Sequence, residues 1–382
     1  MGAAWSAGPW LVRAGFSTFY AYETLADIDR ALRLDGVHGF EEVASASAAA
    51  SLFGPNAGGT PGSAAPYIRR SVYRVDPAMN ASSSRQASVG VERALTANLA
   101  AAVHYIHVRG ANLPRTRNVN LLPPVVLTAA SADALGIADP TAQQVGRPVY
   151  GPGRLDPSFD NIYQIEHTGS STYDGFAVTL TRRLANELEW SASYTYSRAR
   201  DDVSDFDEQP QDPAALASEW SWSRYDQRHR LVVSALFDLP IGDEADRTPA
   251  SKPLTLFERI FSHVEVAPIL TIESGRPQNA LTGSDDNMSR AFPLTSRPLG
   301  FARNGLRTPA SASLDLRVLK YFPAGPHGRL DLVVEAFNLL NRANATELDV
   351  YYGSGATPRA GFGRPTAGSG ARQVQFSVDY EF

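Results

Sequence analysis

The chain has 382 residues, with Lys+Arg 35, Asp+Glu 40 and a formal net charge of −5, so no basic excess exists to neutralise a nucleic-acid backbone. Cys is 0, which excludes disulfides, thiolate metal sites and cysteine nucleophiles together. No apolar run reaches the ~18 residues of a helical membrane span, but a hydrophobic content of 43% suits strands that show lipid only every second residue.

The start, MGAAWSAGPWLVRAG, has no basic segment followed by an apolar one, so no secretory signal is visible. The first alternating segment is 8–22, with Trp10, Val12, Ala14, Phe16 and Tyr20 on one face. Segments 85–95 (Ala87, Val89, Val91) and 98–109 (Leu99, Ala101, Val103, Tyr105) follow, then the long 159–183 ending on Phe176, Val178 and Leu180. The clearest is 187–198, ELEWSASYTYSR. Leu188, Trp190, Ala192, Tyr194 and Tyr196 share one face, and Glu189, Ser191, Ser193, Thr195 and Ser197 the other. Alternation of period two with aromatic enrichment predicts a half-buried strand. The pattern returns in 228–238, 262–273, 312–321, 329–339 and 371–382. The total is about ten strands, each near the 9–11 residues that cross a membrane at a tilt.

The connections alternate in length. Those at 94–98, 184–187 and 323–328 are short, whereas 23–84, 110–158, 199–227, 274–311 and 340–370 are long and polar. That layout predicts an all-β, antiparallel transmembrane barrel with short periplasmic turns and long extracellular loops. Only 239–261 departs from it, and LTLFERIF within it suits a short amphipathic turn of helix. Trp190 and Tyr196 lie ~20 Å apart along one strand face, toward opposite borders of an apolar band ~25 Å tall. Trp10, Tyr20 and Tyr380 are expected in the same aromatic girdles. A soluble β-sandwich fits poorly, because its strands are usually ~5–6 residues long and its loops shorter.

The last strand, QVQFSVDYEF, carries Phe376, Val378, Tyr380 and Phe382 on one face and stops there. It resembles the terminal strand that the barrel-assembly machinery recognises. Longer stretches extend the likeness: 173–202 (YDGFAVTLTRRLANELEWSASYTYSRARDD), RYDQRHRLVVSALFDLP at 224–240, SGRP at 274–277, LDLRVLKYF at 314–322 and VEAFNLLNRAN at 334–344. In this order they resemble the C-terminal half of the barrel of TonB-dependent receptors of the Oar-like, carboxypeptidase-regulatory-domain type. The resemblance implies a Gram-negative outer-membrane location, outer-membrane lipid as surroundings, and uptake of an unidentified bulky ligand. It implies contact with TonB only through a plug domain, which is not visible here, and no cofactor. Such receptors have barrels of about 22 strands, so residues 1–382 read as one partial barrel domain, incomplete and not transport-competent alone.

Charges inside strands belong on the wet side, since on the lipid face they cost ~2–4 kcal/mol at mid-depth. Asp315, Arg317, Asp331 and Glu335 are therefore expected to face the lumen, with Arg317 near Asp331 or Glu335. The acidic run at 201–212 holds Asp201, Asp202, Asp205, Asp207, Glu208 and Asp212, but it lacks the spacing of an EF-hand. It reads as a solvated extracellular loop, as does GSDDNMS at 283–289 with Asp285, Asp286 and Asn287. Asp226 and His229 in YDQRHR invite a catalytic reading, but no nucleophile or second acid–base set completes a site. His104 and His107 fall on opposite faces and cannot share a metal. No enzymatic step is expected. The alternatives are a self-contained ten-stranded porin, which would conduct ions alone, and an outer-membrane hydrolase dependent on Asp226 or His229. Closing about ten strands would crowd Phe19, Ile106, Leu236 and Ile269 into a narrow lumen. An open sheet with edges at 8–22 and 371–382 is expected instead.

Overall fold

The computed structural model describes residues 1–21, 25–41, 70–185, 187–205, 208–241, 255–291, 294–324 and 328–381. Phe382 and Asp207 lie outside the described residues. The wall is an antiparallel meander in chain order. Its strands are β1 (Gly2–Ala7), β2 (Trp10–Tyr20), β3 (Ser83–Ala94), β4 (Leu99–Asn118), β5 (Phe159–Ala185) and β6 (Leu188–Asp201). They continue as β7 (His229–Asp238), β8 (Val264–Glu273), β9 (Ser311–Ala324), β10 (Gly328–Phe337) and β11 (Gln373–Glu381). Every neighbour in the wall is the next strand in sequence, and among the described residues β1 and β11 are its two edges.

The segment 8–22 is not one strand. Gly8 takes a left-handed φ of 56° and Pro9 follows, so the chain reverses there and Gly2–Ala7 pairs back onto β2. The free N-terminal edge is therefore β1, and β2 is paired on both sides. A second departure concerns β4, expected to end near 109. It runs to Asn118 because a bulge at Asn112, φ 56°, absorbs the broken alternation and lets pairing with β5 resume at Leu113↔Gly169, a second shift at Thr168 leading into Pro114↔His167. Strand Arg70–Val75, inside a stretch expected to be loop, pairs in parallel with the start of β5. Helix α1 (Leu25–Arg33) precedes it, and helix α2 (Leu256–Phe261) lies in the long connection before β8.

The register separates two chemistries. One ladder row reads Trp5–Val12–Val91–Val103–Val178–Tyr194–Leu231–Ile272. Another reads Leu188–Phe237–Val266–Val318–Val334–Phe376. On the other face, Arg13–Gly90–His104–Ala177–Thr195–Arg230–Glu273–Ser311 forms a polar row. A strand's side chains alternate between faces, so a slip of one residue anywhere would mix these rows. Their purity is why the register is unique. Exposed positions such as Trp5, Val103 and Phe376 on an apolar face this continuous belong in lipid, not water.

Candidate functional site

The strand charges come together on the polar face. Arg317 and Glu335 are direct ladder partners, 3.8 Å apart, and Gln375 of β11 donates to Glu335 in the same row. Asp331 is not held by Arg317. Its carboxylate accepts two hydrogen bonds from Arg329, at 2.6 and 2.5 Å, two residues along the same strand. Asp315 makes no ion pair among the described residues; it accepts from the Ser313 hydroxyl at 3.0 Å and the Asn338 backbone N–H at 2.7 Å, tying β9 to the turn after β10. Arg329 and Gln375 are not among the residues expected from the sequence. The period-two rule puts both on the correct face, but only the register shows which carboxylate each meets.

On the outer face the aromatic residues occupy different depths. Trp10 and Tyr20 end β2 on one face, ten residues apart, and at ~3.3 Å per residue and ~40° tilt they span ~25 Å of height. Tyr196 shares a ladder row with Phe176, Tyr105 and Ala14, lower on β2 than Tyr20. The offset has a geometric cause. Strands ~4.8 Å apart and tilted ~40° shift a membrane plane by about one residue per strand relative to the ladder rows. One step above Tyr196, the outer face turns polar: His107 bonds Asp174 at 2.8 Å, and Tyr105 donates to the same carboxylate at 2.7 Å. Tyr380 lies opposite Leu330 at the short-turn end of β11. Phe376 and Val378 stand on the same exposed outer face of that edge strand.

Parts of the extracellular loops are buried rather than solvated. They build a buried ionic layer above the wall. Arg303, 1% exposed, bonds Asp201 at 2.6 Å and both oxygens of Glu208 at 2.7 Å. Arg297 holds Glu219 in a two-point pair at 2.7 and 2.9 Å. Arg115 meets Asp202 at 2.8 Å, Arg117 meets Glu166 at 2.7 Å, and Arg154 meets Asp160 at 2.7 Å. Asp212 accepts the buried Tyr150 hydroxyl. Asp201, Asp202 and Glu208 of the acidic run are thus held by arginines far away in sequence, which corrects the expectation of a solvated loop for those residues, whereas Asp205 stays exposed beside Arg224 at 3.7 Å. The same holds at 283–289: Asp286 and Asn287 are buried, and Asn287 accepts from Arg147 at 3.0 Å. Burial pushes the Asp285 carboxyl up despite its bonds from the Ser289 and Arg290 backbone. Burial alone would also raise Glu208, but the bonds and charge of Arg303 outweigh it and hold that carboxyl below its usual range. Among the described residues, no group of three or more His, Asp or Glu is placed to hold a metal ion.

Asp226 and His229 do not meet. Asp226 is fully buried, accepting from the Ala199 N–H at 2.9 Å and from Arg307 at 2.6 Å. His229 turns to the outer face and bonds the Tyr194 hydroxyl at 2.8 Å. Two clefts remain open between wall and loops. One, about 690 Å³, is lined by Thr271, Glu273, Ser313, Asp315 and Asn338. The other, about 680 Å³, is lined by Glu208, Arg224, Gln278 and Asn279. Arg276 borders both, exposed, its guanidinium making no bond among the described residues.

The profile of a protein family described as "outer membrane beta barrel domain" matches residues 1–300. The chain belongs to that family. As an outer-membrane β-barrel it lies in the outer membrane of a Gram-negative bacterium. No curated protein matches the sequence. Among solved structures, the barrel is similar to the outer membrane transporter YddB of Escherichia coli, with TM-score 0.55 and 10% identity over 97% of this chain and 38% of that one. It is also similar to the FrpB iron transporter of Neisseria meningitidis, with TM-score 0.49 and 11% identity over 99% and 37% of the two chains. At these identities the likeness is one of fold. This outer-membrane barrel chain spans 38% of the length of the YddB chain.

Proposed function

We propose that the chain is part of the wall of a ligand-importing receptor of the TonB-dependent type, of the Oar-like, carboxypeptidase-regulatory-domain kind. In this reading the polar face lines the lumen, with Arg317, Glu335 and the Arg329–Asp331 pair among its charges. Trp10, Tyr20, Trp190, Tyr196 and Tyr380 mark the membrane borders. Phe376, Val378, Tyr380 and Phe382 present the terminal strand to the assembly machinery. The unidentified ligand meets the clefts beside Arg276. TonB acts only through a plug domain, and no chemical step is involved.

The observation that carries the reading is the parity of the wall. Among the described residues its eleven strands make both edges, β1 and β11, run toward the short turns. Closing β1 on β11, or joining two copies edge to edge, would need a parallel pair. Bacterial single-chain barrels are even-numbered and antiparallel. An odd number of further strands, with both of their edges running toward the long loops, completes an antiparallel barrel. Unpaired backbone groups in hydrocarbon cost several kcal/mol each, so the wall does not persist open. This weighs against the small porin. The separation of Asp226 from His229 weighs against the hydrolase.

The test is to reconstitute the purified chain in planar bilayers and to run it unheated on gels. No discrete conductance and no compact heat-modifiable band are expected, and co-folding with an odd-stranded complement should restore the band. Discrete single channels from this chain alone would overturn the proposal.

A further inference from the structure

The connection before β8 carries a feature that transport does not use. In α2, Leu256, Phe257, Ile260 and Phe261 project within about 140° of one another at 100° per residue, and Glu258 and Arg259 lie opposite. An apolar stripe normally faces a core. Here Leu256 is 76% exposed, Phe257 61% and Ile260 51%. A six-residue helix is marginal in water by itself, yet both of its ends are tied. Thr255 and Glu258 form a reciprocal capping box, at 3.3 and 2.7 Å. At the other end the Lys320 ammonium donates to the carbonyls of Arg259, Ile260 and Ser262, at 3.0, 3.0 and 2.7 Å.

Lys320 fixes where the helix lies. It is the ladder partner of Val264 and Leu332, in the outer-face series with Val318 and Phe322. A lysine on the lipid face near the strand end must carry its charge to a polar border. This one finds that border in the helix carbonyls and passes over the Phe322 ring at 5.0 Å. Val264, beside it on the outer face, is 8% exposed, where Leu332 is 40%. A segment lying across this corner accounts for the difference.

We propose that α2 is an interfacial anchor. It lies along the periplasmic border of the outer membrane, its Leu256, Phe257, Ile260 and Phe261 side chains inserted at the boundary between headgroups and acyl chains of the phospholipid leaflet. Phe322 and Tyr380 continue the same belt on the wall. The inference rests on the outer face of the wall being in lipid, and the controls separate the two claims.

The chain has Cys 0, so single cysteines can be spin-labelled without background. Labels at Phe257→Cys, Arg259→Cys and Val266→Cys, in the full chain co-folded with its odd-stranded complement in phospholipid bilayers, report collisions with oxygen and with a water-soluble nickel chelate. The label at 257 should favour oxygen several-fold more than that at 259, at a depth of ~5–10 Å. The label at 266, on the wall, should lie deeper. Lys320→Ala should raise the mobility of the label at 257 and leave that at 266 in lipid. A label at 257 as open to the chelate as that at 259, with 266 in lipid, overturns the anchor alone. Chelate access at 266 overturns the lipid-facing wall and the anchor with it.

Discussion

Replacing Arg303 by Ala tests whether the loop layer is a built structure. Its guanidinium is buried and satisfies two carboxylates, Asp201 at 2.6 Å and Glu208 at 2.7 Å, together with the Ser204 hydroxyl at 2.8 Å. Removing one partner of a buried pair leaves the other charge without compensation and costs ~3–5 kcal/mol. At ~1.4 kcal/mol per tenfold, local opening should become more frequent by roughly two to three and a half orders of magnitude. Limited trypsinolysis reads this directly. The bond after Arg224, exposed in the loop that carries Glu208, is cleavable, and at low protease the rate follows the open population. Arg303→Ala combined with Asp201→Asn and Glu208→Gln should be cleaved more slowly than Arg303→Ala alone, because no buried charge is left unpaired. Equal cleavage rates for the native chain and Arg303→Ala would refute the argument.

Four further outcomes follow from the geometry. Glu208 has a depressed folded pKa, so its contribution is complete above its unfolded value of ~4.5 and is lost as pH falls further, through the folded value; trypsin protection of this loop should be flat near neutrality and decline in that acid window, with no such decline in Glu208→Gln. Val178→Arg on the outer face should impair insertion by ~2–4 kcal/mol while Thr179→Arg on the polar face is tolerated, measured by heat-modifiable mobility in the co-folded barrel; equal effects would show the faces are assigned wrongly. Gly275→Ala places a Cβ 1.6 Å from the Thr308 carbonyl oxygen, so backbone must move; the Pro277–Gln278 pairing with Leu306–Arg307 should loosen, at ~1–3 kcal/mol, seen as faster amide exchange there. Deleting Phe382 should reduce membrane assembly more than deleting a loop residue, and equal assembly would remove the terminal-signal reading.

The wall was legible in the sequence because its physics is local. Alternation in ELEWSASYTYSR states which side chains share a face, and a strand needs no more than its own period to declare itself. The long hairpin arms, the order of the strands and the charges on the polar face follow from the same rule. Where local pattern failed, the tertiary structure decided. Gly8 breaks an uninterrupted alternation, which changes the edge strand and the parity of the whole wall. A bulge at Asn112 carries β4 past the point where its pattern stops. The loop layer was invisible for a different reason. Asp201 and Arg303, or Glu219 and Arg297, are separated by long stretches of chain, and a carboxylate in a polar loop looks the same whether water or a buried guanidinium will solvate it. Only the fold, by bringing loops from different hairpins over one rim, chooses between those two solvents.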